Sequence, residues 1–107
     1  MQYKTFSTLY NEALEYDDIE MYIGERGWQE WMNCYETNEV VNILNSIYEL
    51  SNKNIRSIRE GMGLSRQKFC DMYDIKLRTL EDWEYEKSSI PKHTLKLIAY
   101  TIFIAGK

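Results

Sequence analysis

The stretch between residues 64 and 84 constrains the fold of this chain most, because it predicts two short helices joined by a tight turn. Ser65 is a typical helix N-cap, and apolar residues follow it at helical spacing. Asp74 then interrupts the pattern, and an Asp tolerates the left-handed backbone that a sharp turn requires. A second apolar stripe restarts after the turn and can close onto the first. The two stripes consist of Phe69, Cys70 and Tyr73 before the turn and of Ile75, Leu80 and Trp83 after it.

This stretch, LSRQKFCDMYDIKLRTLEDWE, resembles the helix-turn-helix of the phage repressor and Cro (XRE-type) family. The flanking segments IRSIREGMG and SSIPKHTLKLIAY extend the resemblance over residues 54–102. The chain departs from the family pattern at Cys70, where the family favours Ala, at Asp74, where it favours Gly, and at Glu86, where a Gly is usual. Cysteine is small and Asp can adopt a positive φ, so we expect the fold to survive the first two changes. Glu86 adds negative charge beside a surface that should meet phosphate.

Helix geometry divides the second helix of the motif into an inner and an outer face. If Leu80 and Trp83 point into the core, the outer face carries Leu77, Arg78, Glu81, Asp82 and Tyr85. By resemblance, four residues stand at the family's base-reading positions: Lys76, Leu77, Arg78 and Asp82. Arg78 can bind guanine through two hydrogen bonds, and Leu77 can touch a thymine methyl group. The alternative for Arg78 is a helix-surface ion pair with Asp82, worth about 0.2–0.5 kcal/mol. Asp82 itself is expected to orient an arginine more than to read a base.

A set of polar and basic residues around the motif is positioned to hold DNA phosphates. Backbone N–H groups at helix N-termini would assist these side chains. The alternative for each single residue is an ordinary solvated charged surface. The set consists of Arg66, Thr79, Lys87, Ser89, Lys92 and His93.

The resemblance also implies a structural ion pair between Arg59 and Glu84. In the family, an arginine in the helix before the motif pairs with the glutamate that follows the tryptophan, and both residues are present here. The pair would tie the outer helices of the motif together and would not contact DNA. If it is fully buried, removal of one partner would cost about 3–5 kcal/mol.

The net charge of −4 conceals a difference between the two halves of the chain. Residues 1–50 contain ten acidic and two basic residues, a net charge of −8, whereas residues 51–107 contain seven acidic and eleven basic residues, a net charge of +4. A basic half that carries the motif and an acidic, aromatic half suggest a DNA-binding unit with an appended unit for another partner. We therefore expect an acidic helical extension over residues 1–52 and a DNA-binding domain over residues 53–107.

Helical patterns dominate the whole chain, and strand patterns are weak. The single proline, Pro91, falls in the expected first turn of the last helix. We therefore predict an all-α helical bundle, with the repressor-like motif in the C-terminal half and extra helices in the N-terminal half. One helix face in the acidic half is a candidate protein interface, formed by Trp28, Trp31, Met32 and Tyr35. Ile102 and Phe103 at the end of the last helix either complete the core or form a rival contact.

Patterns typical of enzymes or metal sites are not found in the sequence. His93 is the single histidine, and Cys34 and Cys70 lie far apart in no ligand-like arrangement. We therefore expect no enzymatic activity, no cofactor and no metal. The N-terminus lacks the features of a signal peptide, and the longest apolar stretch, residues 97–105, is too short to span a bilayer. A soluble protein of the reducing cytoplasm, with no membrane partner, is the expectation.

Taken together, these patterns favour a sequence-specific transcription regulator that binds double-stranded DNA. We expect a repressor from a phage, plasmid or toxin–antitoxin type of locus, bound to a palindrome as a homodimer. The alternative is a protein-interaction module, an antitoxin or inhibitor, whose N-terminal half captures a protein partner. In that case the helix-turn-helix would be a scaffold or a device for autoregulation.

Overall fold

The computed structural model describes Met1–Gly106, and within these residues the chain is helical and contains no strand. The prediction of an all-α fold is therefore confirmed. The helices are, in chain order, α1 (Tyr3–Ala13), α2 (Ile19–Gly24), a 3-10 helix (Glu30–Cys34), α3 (Thr37–Ser51), α4 (Ile55–Gly61), α5 (Arg66–Tyr73), α6 (Leu77–Glu84) and α7 (Lys92–Ile104). Along Met1–Gly106, none of them combines the length and apolar character that crossing a membrane requires.

The chain divides into two compact units. The first comprises Met1–Asn52 together with the chain from Ile98 onward, and the second comprises Lys53–Leu97. The second boundary falls inside α7, so this one helix contributes residues to both units.

The first unit is built around aromatic side chains of α1 and α7. Phe6 is fully buried, and its ring lies 5.2 Å from that of Tyr100 and 5.3 Å from that of Phe103 between centroids. Ile102 is also buried. Burial of each such side chain stabilises the fold by roughly 1.5–3 kcal/mol. The end of α7 thus contributes to this core through Ile102, whereas Phe103 is half-buried and its use as a rival protein contact stays a prediction.

Arg26 connects three elements of the first unit. Its Nη1 donates to Glu12 Oε1 at 3.1 Å and to Gln29 Oε1 at 3.3 Å, and its Nε donates to the carbonyl of Tyr22 at 3.0 Å. Its guanidinium also stacks over the Tyr22 ring, and only 8% of its side chain is exposed. Of the two basic residues in the acidic half, Arg26 is therefore paired within the fold and Lys4 is exposed.

The predicted apolar helix face around Trp28 is not an α-helix face. The chain forms a 3-10 helix of five residues, Glu30–Cys34, with Trp28 before it and Tyr35 after it. Extended backbone on both sides limits this helix, since Gln29 has φ −118° and ψ 155° and Tyr35 has φ −132° and ψ 155°. Met32 packs in the core with 3% exposure, whereas Trp28 is 60% exposed. The assignment of Met32 to an interface is therefore wrong.

In the second unit, side-chain caps begin α4 and α5. Asn54 Oδ1 accepts the N–H of Ser57 at 2.8 Å, and Ser65 Oγ accepts the N–H of Lys68 at 3.2 Å. α5 ends at Asp74, whose left-handed backbone (φ 54°, ψ 49°) turns the chain toward α6. The core between these helices consists of Ile55, Ile58, Phe69, Cys70 and Leu80.

Candidate nucleic-acid interface

α6 has one buried residue, Leu80, and Trp83, which was expected to point into the core, is half-buried. Leu80 is fully buried, and Leu77 is 39% exposed at the first position of the helix. The side chain of Arg78 is 85% exposed and that of Asp82 is 30% exposed. Lys76, also exposed, precedes the helix in extended backbone (φ −69°, ψ 137°). The structure therefore brings the first three predicted base-reading residues together on the leading turn of α6, and Asp82 follows one turn later.

The ion pair between Arg78 and Asp82 is present but loose. Arg78 Nε lies 3.8 Å from Asp82 Oδ1, which is too long for a hydrogen bond. Exposed pairs of this kind contribute roughly 0–1 kcal/mol. The Arg78 side chain therefore projects into solvent with its hydrogen-bond donors accessible to a ligand.

The loop after α6 is hydrogen-bonded to the last turn of that helix. The carbonyl of Asp82 accepts the N–H of Lys87 at 2.8 Å and the N–H of Ser88 at 3.3 Å. The backbone of Glu86 is left-handed with φ 60°, which bends the chain back over the helix end. Four predicted phosphate-binding residues are exposed in or just after this loop: Lys87, Ser89, Lys92 and His93. Of the other two in this set of six, Thr79 is half-buried on α6 and Arg66 is half-buried on α5.

Arg59 and Glu84 form a buried, bidentate ion pair. Arg59 Nε donates to Glu84 Oε2 at 2.7 Å, and its Nη2 donates to Glu84 Oε1 at 3.0 Å. The Glu84 side chain is 0% exposed. Burial opposes ionisation of this carboxyl group, but the hydrogen bonds from Arg59 and Arg66 outweigh it and lower its pKa. In turn, the hydrogen bond to Glu84 raises the pKa of Arg59.

Arg66 also binds Glu84, which the sequence did not lead us to expect. Its Nε donates to Glu84 Oε1 at 3.0 Å, and its guanidinium carbon lies 5.1 Å from the centre of the Tyr85 ring. The side chain is 29% exposed. No local sequence pattern indicated this bond, because it joins α5 to α6 across the turn between them.

In the first unit, the remaining candidate interface residues lie around the 3-10 helix. Trp28 Nε1 donates to Asn33 Oδ1 at 2.6 Å, and Trp31 Nε1 donates to Gln29 Oε1 at 2.8 Å. Trp31 packs edge-on against Tyr35 and lines a groove of about 280 Å³ beside α1. These bonds hold both indole rings in fixed orientations, with Trp28 the more exposed of the two.

Comparisons with protein-family models, curated proteins and solved structures found no match to this chain. The leading turn of α6 offers an ammonium group, a guanidinium group and an apolar side chain. Two further ammonium groups are those of Lys87 in the following loop and Lys92 at the start of α7. Such a combination suits binding to phosphates and to the edges of bases.

Proposed function

We propose that this protein is a sequence-specific transcription regulator that binds double-stranded DNA, with α5 and α6 as a helix-turn-helix of the XRE type. The observation that carries the proposal is the projection of Arg78, 85% exposed, from a helix whose opposite side anchors Leu80 in the core. A recognition helix needs this division, because its inner face must hold it rigidly while its outer face enters the major groove.

In the proposed complex, the leading turn of α6 reads base edges. Arg78 donates two hydrogen bonds to a guanine, Leu77 contacts a thymine methyl group, and Lys76 reaches a neighbouring base or phosphate. Asp82 lies within 3.8 Å of Arg78 and would restrain that side chain. Lys87, Ser89, Lys92 and His93 would hold the DNA backbone, while Thr79 lies close to the leading turn.

We further propose that the protein acts as a repressor and binds a palindrome as a homodimer. One short recognition helix reads only a few base pairs, and a two-fold dimer places two such helices about 34 Å apart, one turn of DNA. The net charge of −8 over residues 1–50 disfavours contact between this part of the chain and the duplex. The same part is therefore the better candidate for contact with a second copy.

The test is a selection of random duplex fragments by the full chain, carried out at low salt and again near physiological salt. We expect enrichment of one palindromic sequence whose half-sites are about one helical turn apart. Recovery of fragments without a common sequence, at both salt concentrations, would contradict sequence-specific regulation.

The second candidate function is a protein-interaction module, an antitoxin or inhibitor. It is favoured by Trp28, which is 60% exposed and held by its bond to Asn33. Fixed, exposed aromatic residues are typical of binding hot spots. Co-expression with the products of neighbouring genes tests this function. A stable complex that is lost in Trp28→Ala, but kept in Arg78→Ala, would favour it over DNA binding.

A further inference from the structure

The cluster around Glu84 carries more positive than negative charge. One buried carboxylate binds two guanidinium groups, those of Arg59 and Arg66. Arginine remains protonated under all ordinary conditions, so the three groups together have a net charge of +1. A second anion would therefore be stabilised beside this cluster.

The two arginines use their hydrogen-bond donors very differently. An arginine has five N–H donors. Arg59 donates through Nε and Nη2 to Glu84 and through Nη1 to the carbonyl of Leu64, and its side chain is 10% exposed. The side chain of Arg66 makes a single hydrogen bond within Met1–Gly106, from Nε to Glu84, and it is 29% exposed. Arg66 therefore retains its Nη donors at a surface that solvent reaches.

Tyr85 fixes the direction in which those donors point. Its ring lies 5.1 Å from the guanidinium carbon of Arg66, and the tyrosine is 54% exposed. One edge of the guanidinium is thus bound by Glu84 and one face is covered by Tyr85. The remaining edge is held ready for an anion at little further cost in side-chain entropy.

We infer that Arg66 and Tyr85 form a single clasp for one phosphate of the DNA backbone, with Glu84 as the positioning residue that fixes Arg66. The inference rests on the proposed DNA-binding function and adds two elements to it. Tyr85 becomes part of the DNA-binding surface, and Glu84 acquires a second role beyond its ion pair with Arg59. A phosphate suits the site because guanidinium binds phosphate through two parallel hydrogen bonds.

The first measurement is the affinity of the full chain for a random-sequence duplex across a series of salt concentrations. Arg66→Gln should lower the slope of log affinity against log salt by about one, as expected for one lost phosphate contact. The matched control is Arg56→Gln, which removes an equal charge from α4. Arg56 is exposed and paired with Glu60 at 3.4 Å, and its substitution should leave the slope unchanged.

The second measurement separates positioning from charge. Arg66→Lys keeps the positive charge but cannot bind Glu84 and phosphate through a planar fork, so we expect weaker binding with an unchanged salt slope. Tyr85→Ala should weaken binding to all duplexes roughly two- to fivefold, again with an unchanged slope. Tyr85→Phe keeps the ring over Arg66 and should bind as the wild type does.

The possible results distinguish this clasp from the proposed function. If the wild-type chain binds no duplex, the proposed function fails and the clasp fails with it. If the wild type binds DNA but Arg66→Gln has the same slope as Arg56→Gln, the clasp alone is overturned. If Arg66→Gln does not fold, Tyr85→Ala decides, because Tyr85 is exposed; wild-type affinity in that variant overturns the clasp.

Discussion

Arg78 and Arg56 both form ion pairs with a residue one helical turn away, yet their surroundings differ. The Arg78 side chain is 85% exposed and lies 3.8 Å from its partner, whereas Arg56 is 49% exposed and lies 3.4 Å from Glu60. We predict that Arg78→Ala weakens binding to the selected operator by about 1–3 kcal/mol and binding to random duplexes much less. Arg56→Ala should change neither. Titrations followed by fluorescence anisotropy measure the affinity of each variant for the operator and for random duplexes.

Equal losses on operator and random DNA would assign Arg78 to a phosphate contact or to folding. Thermal unfolding of the same variants separates these two cases, since a surface pair of this length contributes little to stability.

Glu84 links the stability of the fold to pH. Although burial opposes its ionisation, the hydrogen bonds from Arg59 and Arg66 lower the pKa of its carboxyl group in the folded state. A lowered folded pKa means that the stabilisation is fully present above the unfolded pKa and is lost as the pH falls through the folded pKa. We predict that Glu84→Gln costs about 3–5 kcal/mol at neutral pH. Below about pH 5, the unfolding free energy should depend less on pH in this variant than in the wild type.

Urea unfolding at a series of pH values measures this prediction. Glu60→Gln is the control, because Glu60 is 57% exposed in its pair with Arg56. This substitution should lower the unfolding free energy by no more than about 1 kcal/mol. Similar losses in the two variants would show that the buried cluster does not hold the helices together.

At the scale of elements, the end of α6 depends on an unfavourable backbone conformation. Glu86 has φ 60°, a region that costs a residue with a side chain about 1–2 kcal/mol. Glycine adopts this conformation without that cost, but it loses roughly 0.5–1 kcal/mol more in backbone entropy on folding. We predict that Glu86→Gly raises the unfolding free energy by up to about 1 kcal/mol. Glu86→Gln should leave it unchanged. Both variants remove the same charge and should bind DNA alike and more tightly than the wild type.

Chemical denaturation of the two Glu86 variants provides the comparison. Equal stabilisation by Gly and Gln would attribute the effect to charge and not to the backbone. Loss of stability in Glu86→Gly would mean that the carboxylate itself supports the loop.

Much of the helical organisation could be predicted from the sequence, because it depends on local signals. Ser65 caps α5 and Asp74 adopts a positive φ, both as their residue types indicate. The prediction of an α-helix face around Trp28 was wrong, because aromatic spacing alone does not distinguish an α-helix from a short 3-10 helix between extended residues. The second bond of Glu84, to Arg66, depends on how α5 packs against α6, and no local pattern records it.

At the scale of the whole molecule, the division inside α7 was also beyond the sequence. Apolar residues recur along the last helix from Leu95 to Phe103, and no Gly or Pro lies between these two residues. Contiguous parts, 1–52 and 53–107, were therefore the natural expectation. Burial of Ile98 and Ile102 in the first unit results from packing between distant parts of the chain.

The prediction at this scale concerns association of two chains. Trp28→Asp should lower the dimer fraction measured by light scattering over a range of concentrations, because it places a charge where a 60% exposed indole lies. Leu14→Asp is the matched control, since Leu14 is 56% exposed in the same unit and receives the same charge. Helical circular dichroism should be intact in both variants.

An unchanged dimer in Trp28→Asp would exclude this surface as the contact. A wild-type monomer, with a Trp28 variant that loses only a complex with another protein, would instead support the interaction-module function.

The two cysteines make this surface directly accessible to spectroscopy. Cys34 is exposed in the 3-10 helix, whereas Cys70 is buried, and burial raises the pKa of the Cys70 thiol. Because thiolates are the species that react with maleimides, a dye added to the native protein at mild pH should attach at Cys34 alone. The dye would then lie three residues from Trp31 along the chain. A single fluorophore on the unmutated protein can thus report, by a change of emission or anisotropy, the moment at which anything covers that surface.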